Sequence, residues 1–392
     1  MASSINASTS GPGGVITTAD NSGILNLQSG GTTVATVGPS GLSTPAASTI
    51  NTANTFGFKN RIINGGMTIS QRGTSFTGLS TDGTYTLDRW FYAMNGGGAV
   101  SSTQSSTAPA GFINSILTTV TTASGSLGSS AYYQLRQAIE GLNISDLGWG
   151  TANAKAVTVS FWVQSSVTGT YSFCLRNSAA SLSYVATYSI PVANTWTQIS
   201  ITIPGPTTAT WLTTNGIGIF ATWDFGTGSG AGVTSTANTW LSGNYIELSG
   251  TTQLINTNGA TFYLTGVQLE VGSQATSFDF RSIGTELALC QRYYYQTTGN
   301  RTGTNGPFAI GFFNVNSGNS CGFAPFPVTM RAAPSVTTYV GPNANQVALI
   351  GGGTGTGTSV NNITTIGFAG MTGTNMVGVG GIQFDFNASA EL

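Results

Sequence analysis

Alternation of apolar and polar residues is the dominant pattern in this chain, and it has the two-residue period of a β-strand with one buried face. In residues 157–164, VTVSFWVQ, Val157, Val159, Phe161 and Val163 fall on one face and Thr158, Ser160, Trp162 and Gln164 on the other. Tyr171, Phe173 and Leu175 alternate in the same way with Ser172, Cys174 and Arg176, and Ile199, Ile201 and Ile203 with Gln198, Ser200 and Thr202. Residues 132–139, 217–221 and 262–269 add further runs of this kind. Turn residues separate them, so residues 56–281 predict a two-sheet antiparallel β-sandwich. Helical signal is confined to a turn at 144–147 and a stretch near 286–291, which excludes an α/β nucleotide-binding fold.

The stretch 265–296 joins two such regions. Val267, Leu269 and Val271 alternate with Gln268 and Glu270, and Gly272 ends that run. Phe278 and Phe280 then alternate with Asp279 and Arg281, residues 285–289 are rich in helix formers, and strand-type aromatics return at 292–297. A boundary near Ser282 follows, with a joint that is apolar on both sides and therefore stiff. Beyond it, strands at 293–296, 309–315, 320–323, 328–331, 336–340, 347–350, 364–368 and 382–386 predict a second, smaller β-sandwich. Pro327 fits an edge or a strand start, because it cannot donate to a ladder. The glycine-rich runs 226–232 and 351–357 lack lysine and a following helix, so they read as loops rather than phosphate cradles. At the other end, residues 24–28 and 32–37 form two β-prone runs around Ser29-Gly30-Gly31, a hairpin signal. Two strands alone are marginal in water. The segment 1–55 is therefore expected to order by pairing with copies of itself or by docking on another protein, as an attachment stalk. The chain divides into 1–55, 56–281 and 282–392.

Composition narrows the function. Only 6% of the 392 residues are charged, against about 25% in an average soluble protein. A surface covered instead by Ser, Thr, Asn, Gln and many of the 55 glycines suits the outside of a cell or particle. The net charge of -1 comes from scattered residues; no basic stripe exists to neutralise phosphates, which argues against nucleic-acid binding. Histidine is absent, which excludes Ser-His-Asp chemistry. Cys174, Cys290 and Cys321 form no CxxC and sit among apolar or aromatic residues, so all three are expected as buried thiols. No window approaches the roughly 18 apolar residues of a membrane span, so no membrane insertion is expected. The opening residues lack the regions of a signal peptide, consistent with assembly in a host cytoplasm.

Sugar binding needs an aromatic face and nearby amide, hydroxyl or carboxyl groups. Trp223, Asp224 and Phe225 precede the first glycine run and Trp240, Asn244 and Tyr245 follow it, while Trp162 lies on the non-core face of its strand. These seven are the candidate glycan-binding residues. Glycoside hydrolysis would need two carboxylates across the scissile bond. The twelve acids form no recognisable cluster, so no catalytic residue, cofactor or metal is expected, with Asp224 and Glu247 the acids to test first.

Three blocks carry a family resemblance. GVQLE at 266–270 with FDFR at 278–281 and ELALCQRYY at 286–294 is the first, NRIINGGMTISQRGTSFTGLSTDGTYTLDRW at 60–90 the second, and FPVTMRAAP at 326–334 the third. In this order they resemble tail-fibre and related adhesin proteins of tailed bacteriophages. The resemblance implies a carbohydrate-binding-like jelly roll in a homotrimeric virion protein. That protein would be held to another virion component through residues 1–55 and exposed on the tail or particle surface, where it meets a host-surface glycan. A structural or decorating virion protein, such as a head fibre, is the alternative. Asn60, Arg61, Asn64, Gln71, Arg72, Asp88, Arg89 and Trp90, with Glu270, Glu286 and Arg292, are expected as a structural hydrogen-bonded belt, and the resemblance places Asp88 in a turn where it pairs with Arg89 or caps backbone amides. Related jelly rolls often hold calcium, but Gly66 and Met67 stand where an acidic residue is frequent, so no metal is expected here.

Overall fold

The computed structural model describes residues 3–7, 15–17, 23–38, 41–43, 58–230, 232–297, 309–316, 318–340, 342–349, 353–376 and 381–392. The chain forms two compact units, residues 1–59 and 60–392. In the first, Leu25–Ser29 and Thr32–Gly38 pair antiparallel as the sequence pattern predicts. Gly30 and Gly31 have φ of 58° and 80°, the two positive values of a type I′ hairpin, which only glycine adopts without strain. Three more strands, Ser3–Ala7, Val15–Thr17 and Gly41–Ser43, extend this hairpin to a five-stranded sheet in which Ser3–Ala7 runs parallel to Leu25–Ser29. The rest of the expected attachment segment lies outside the described residues.

Among its described residues the larger unit is all-β apart from one helix and short 3-10 turns. Its first part is a two-sheet antiparallel sandwich. One sheet has six strands in the order Thr197–Ile203, Val157–Ser165, Thr261–Val271, Ser115–Thr122, Ala99–Ser105 and Ser75–Leu79. The other has seven: Trp240–Ser242, Leu182–Ile190, Gly169–Asn177, Ile217–Thr227, Tyr132–Glu140, Trp90–Asn95 and Thr84–Tyr85. The chain passes repeatedly from one sheet to the other. Val157, Val159, Phe161 and Val163 are fully buried between the sheets, as are Tyr171, Phe173 and Leu175. Each such side chain contributes about 1.5–3 kcal/mol on leaving water. Trp223 is at the centre, with ring centroids 4.9 Å from Phe173, 5.4 Å from Trp90 and 5.6 Å from Phe161.

The strand Thr261–Val271 is buried on both faces, beyond the half-burial its alternation predicts. Val267 and Leu269 face the core, while Gln268 and Glu270 are covered by the tether that follows. The Asp279 amide donates to Gln268 at 2.8 Å, and the Thr276 amide and hydroxyl donate to Glu270 at 2.8 and 2.6 Å. Ser282 then caps the helix Ile283–Gln291, accepting from the Thr285 amide.

The C-terminal part differs from the expected second sandwich. Six strands close into an antiparallel barrel, in the order Ala309–Asn316, Asn319–Pro325, Gly367–Thr374, Thr354–Val360, Gln346–Leu349 and Gly381–Gln383. Beside it lies a four-stranded sheet of Tyr294–Gln296, Asp385–Ser389, Ser335–Val340 and Asn343–Ala344. Thr354–Val360 occupies part of the run read as a loop. A Cβ at Gly355 would stand 2.8 Å from Met376 and 2.9 Å from Val347, so glycine there admits close packing inside the barrel. The expected strand at 328–331 is irregular backbone, because Pro327 falls in the bend after Asn319–Pro325. Cys321, on the barrel, is exposed rather than buried; Cys174 and Cys290 are buried.

A polar seam ties the sandwich to this C-terminal part. Arg292 forks onto Glu140 at 2.9 and 2.6 Å, and the Tyr293 hydroxyl donates to the same carboxylate at 2.5 Å. Arg72 and Arg89 both pair with Glu391 and lie over the rings of Tyr294 and Tyr293, 3.5 and 3.6 Å from their centroids. Asp88 is not paired with Arg89; it accepts from the backbone and side-chain amides of Gln71, whose side chain also donates to the Tyr294 carbonyl. Asn60 grips the strand Thr261–Val271 through the Val267 carbonyl and the Leu269 amide, both at 3.0 Å. Asn64 bonds Ile69 and Asp88, its own amide donates to Glu286, and its carbonyl accepts from the buried Trp90 indole at 3.1 Å. Arg61 reaches Asp146 at 2.7 Å, and Glu270, at the end of the strand Thr261–Val271, accepts from Thr276 of the tether.

Candidate functional site

Where Ile217–Thr227 turns Ile219, Ala221, Trp223 and Phe225 into the core, it turns Phe220, Thr222 and Asp224 to the opposite face of the seven-stranded sheet. Its neighbours do the same. Tyr132, Gln134 and Arg136 project from one flanking strand, and Ser172, Cys174 and Arg176 from the other. In the register Thr222 stands opposite Arg136 on one side and Cys174 on the other, while Phe220 stands opposite Arg176. The segment 244–249 lies across part of this face. Ile246 packs on Cys174 and Val185, and the Leu248 amide donates to Ser172 at 3.0 Å.

The uncovered remainder is an open polar cleft of about 490 Å³, lined by Asp82, Asn95, Ser130, Tyr132, Gln134, Arg136, Arg176, Gly230, Asn244 and Ile246. Both guanidinium groups lie near the Phe220 ring, 5.7 Å (Arg136) and 5.0 Å (Arg176) from its centroid. Arg136 donates to the Gln134 side-chain oxygen and Arg176 to that of Asn244. Among the described residues no carboxylate forms an ion pair with either. Burial, and then the charge of Arg176, pulls the Arg136 pKa down to about 9; burial lowers that of Arg176.

Behind the cleft is a buried carboxyl pair. Glu247 accepts from the Thr227 amide at 2.6 Å and from Gln253 at 3.3 Å. Asp224 accepts from the Thr227 hydroxyl at 2.6 Å, and Gln134 donates to that same hydroxyl at 3.3 Å. Burial, and then the neighbouring Glu247, raises the Asp224 pKa well above the usual carboxylate value. Thr227 therefore links both carboxyls to Gln134 at the back of the cleft.

Of the seven candidate glycan-binding residues, only Asn244 lines the cleft. Trp223 and Phe225 are core residues with no face to offer a sugar. Asp224 is enclosed, and Tyr245 packs against the Cys174 group. Trp240 belongs to an indole cluster, 5.6 Å from Trp149 and 5.5 Å from Trp211, and its Nε1 donates to the Pro204 carbonyl at 2.7 Å. Trp162 projects from the other sheet. Tyr132, Arg136 and Arg176 are what sequence reasoning missed, although each occupies the polar phase of an alternating strand.

No protein-family model matches this chain, and no curated protein does. Among solved structures it is similar to the enzymatically active domain of tailspike protein 4 of bacteriophage CBA120, at 13% identity and a TM-score of 0.31, covering 54% of this chain and 21% of that one. It is also similar to TmCBM61 in complex with β-1,4-galactotriose, at 10% identity and a TM-score of 0.28, covering 55% of this chain and 99% of that module. A family 11 carbohydrate-binding module from Clostridium thermocellum gives 14% identity and a TM-score of 0.26, covering 52% and 99%.

Proposed function

We propose that this chain is a non-enzymatic attachment protein of a tailed phage, which binds a host-surface glycan in the cleft on the seven-stranded sheet. The cleft is the observation that carries this reading. Half-buried Tyr132 offers an apolar ring face, and the side chains of Asn95 and Asn244 offer amide groups that fix sugar hydroxyls, while the buried Gln134 holds Arg136 in place. They stand on or beside strands anchored by a packed core, so little order has to be gained on binding. Binding without cleavage fits the carboxyl pair, since Asp224 and Glu247 are both enclosed and hydrogen-bonded to Thr227 rather than facing each other across an open site. The tailed-phage setting, the homotrimer and the anchoring of residues 1–55 to another virion protein rest on the resemblance of the three sequence blocks.

The test is adsorption. Purified protein should bind susceptible cells, compete with particle adsorption, and lose both properties when cell-surface sugars are oxidised with periodate. Failure to bind cells, with particle adsorption unaffected by excess protein, would overturn the reading. New reducing ends released from the host polysaccharide would make it an enzyme instead.

A further inference from the structure

The cleft is unusual for a plain sugar site in what it presents at its floor. Two arginines on strands either side of Ile217–Thr227 converge over one phenylalanine ring, in a chain with only 11 basic residues. Arg176 is 8% exposed. Each guanidinium spends one nitrogen on a neutral amide oxygen, and the Nε of each is buried without a hydrogen-bond partner, as is the Thr222 hydroxyl between them. Buried donors normally find partners, and a buried cation without a counter-charge is costly. Asp82, at the exposed lip, accepts from the Met94 amide at 3.1 Å and makes no ion pair with either arginine, so its charge offsets theirs only in part.

Resting on the glycan-binding reading above, we infer that the cleft selects acidic glycans, with Arg136 and Arg176 together receiving an oxyanion substituent of a sugar whose ring lies against Tyr132. A planar guanidinium fork is matched to carboxylate and sulfate oxygens, and a second guanidinium adds charge without requiring a second acidic group on the ligand. The anion would also relieve the mutual repulsion of the two arginines. Gln134 and Asn244, which already hold one nitrogen of each guanidinium, fix the direction in which the remaining donors point. Arg136 and Arg176 are thus specificity-determining residues, and the neutral amides around them serve any sugar.

Nitrogen-detected NMR of the arginine Nε–H groups in the full chain tests this directly, with Arg136→Gln and Arg176→Gln supplying the assignments. Titration with glucuronate or glucose 6-sulfate should shift both signals, glucose should leave them in place, and the apparent affinity for the acidic sugar should fall at least tenfold in either variant and with added salt. A response to glucuronate alone identifies a carboxylate as the preferred group, and one to glucose 6-sulfate alone a sulfate. If neutral glucose perturbs Tyr132 while no acidic sugar moves the arginine signals, acid selection is wrong and glycan binding stands. If inorganic sulfate moves them but no sugar does, the anion site is real and the glycan reading fails. Silence towards all four probes overturns the inference. Should Arg176→Gln fail to fold, Arg136→Gln, at the more open position, carries the comparison.

Discussion

Asp224 shows how a single side chain serves the cleft without entering it. Its carboxyl is held above the usual range by burial and by Glu247. The folded chain therefore keeps a proton that the unfolded chain releases above its ordinary pKa of about 4. Its contribution is greatest below that value and declines as pH rises towards the raised one. Asp224→Asn, which can still accept from Thr227 and donate to Glu247, should fold at pH 7 and show a shallower loss of Tm between pH 4 and 8 than the parent. The slope should not vanish, because burial also raises Asp88. An unchanged slope would mean that Asp224 is ionised in the folded state. The same residue marks what sequence could reveal. Alternation from Ile217 to Ala221 continues in phase through Trp223 and Phe225, so their burial was already written in the period; Asp224 and the following glycines made the run look finished. The meeting of Arg136 with Arg176 was not legible, because it depends on two strands about 40 residues apart in sequence pairing with the two sides of a third.

At the level of elements, the link between the strand Tyr132–Glu140 and the turn after the helix Ile283–Gln291 uses the most enclosed carboxylate of the seam. Glu140 is fully buried and holds Arg292 twice and Tyr293 once. Glu140→Ala leaves the buried Tyr293 hydroxyl without its acceptor, while Arg292, 30% exposed, can turn to water. The substitution should cost about 1–3 kcal/mol in denaturant unfolding. Asp146→Ala, which breaks the Arg61 pair, should cost only about 0–1 kcal/mol, since the Asp146 side chain is 47% exposed. Equal losses in the two variants would show that the seam is not the stabilising contact. The helix was legible from its run of helix formers, whereas Ser282 read only as a boundary until the structure showed it capping the first turn. The barrel was not legible, because its closure pairs the short strands Gln346–Leu349 and Gly381–Gln383, and Gly355 reads as a breaker until the Met376 and Val347 side chains that crowd it are known.

For the whole molecule, the question is what covers its apolar surface. Ile113, Phe280 and Ile283 are 71%, 67% and 64% exposed and, with Phe112 and Phe278, line one groove of about 350 Å³ beside the tether. Phe112, Phe278 and Phe280 pack on one another, with centroids 4.8–5.4 Å apart, so this is an ordered patch rather than scattered side chains. A chain with 6% charged residues has little repulsion to keep such patches apart. In the homotrimer proposed above, contact between copies would remove this surface from water. Light scattering of the full chain should then give three times the single-chain mass, stable to dilution. Paired Ile113→Asp and Ile283→Asp substitutions should shift that mass downward without loss of β-sheet circular dichroism, because neither side chain is buried in the unit it belongs to. A single-chain mass for the parent would sink the trimer. A trimer that survives both substitutions would move the contact away from the groove, leaving the five-stranded N-terminal sheet, with Val15–Thr17 and Gly41–Ser43 as its edge strands, as the surface through which copies pair.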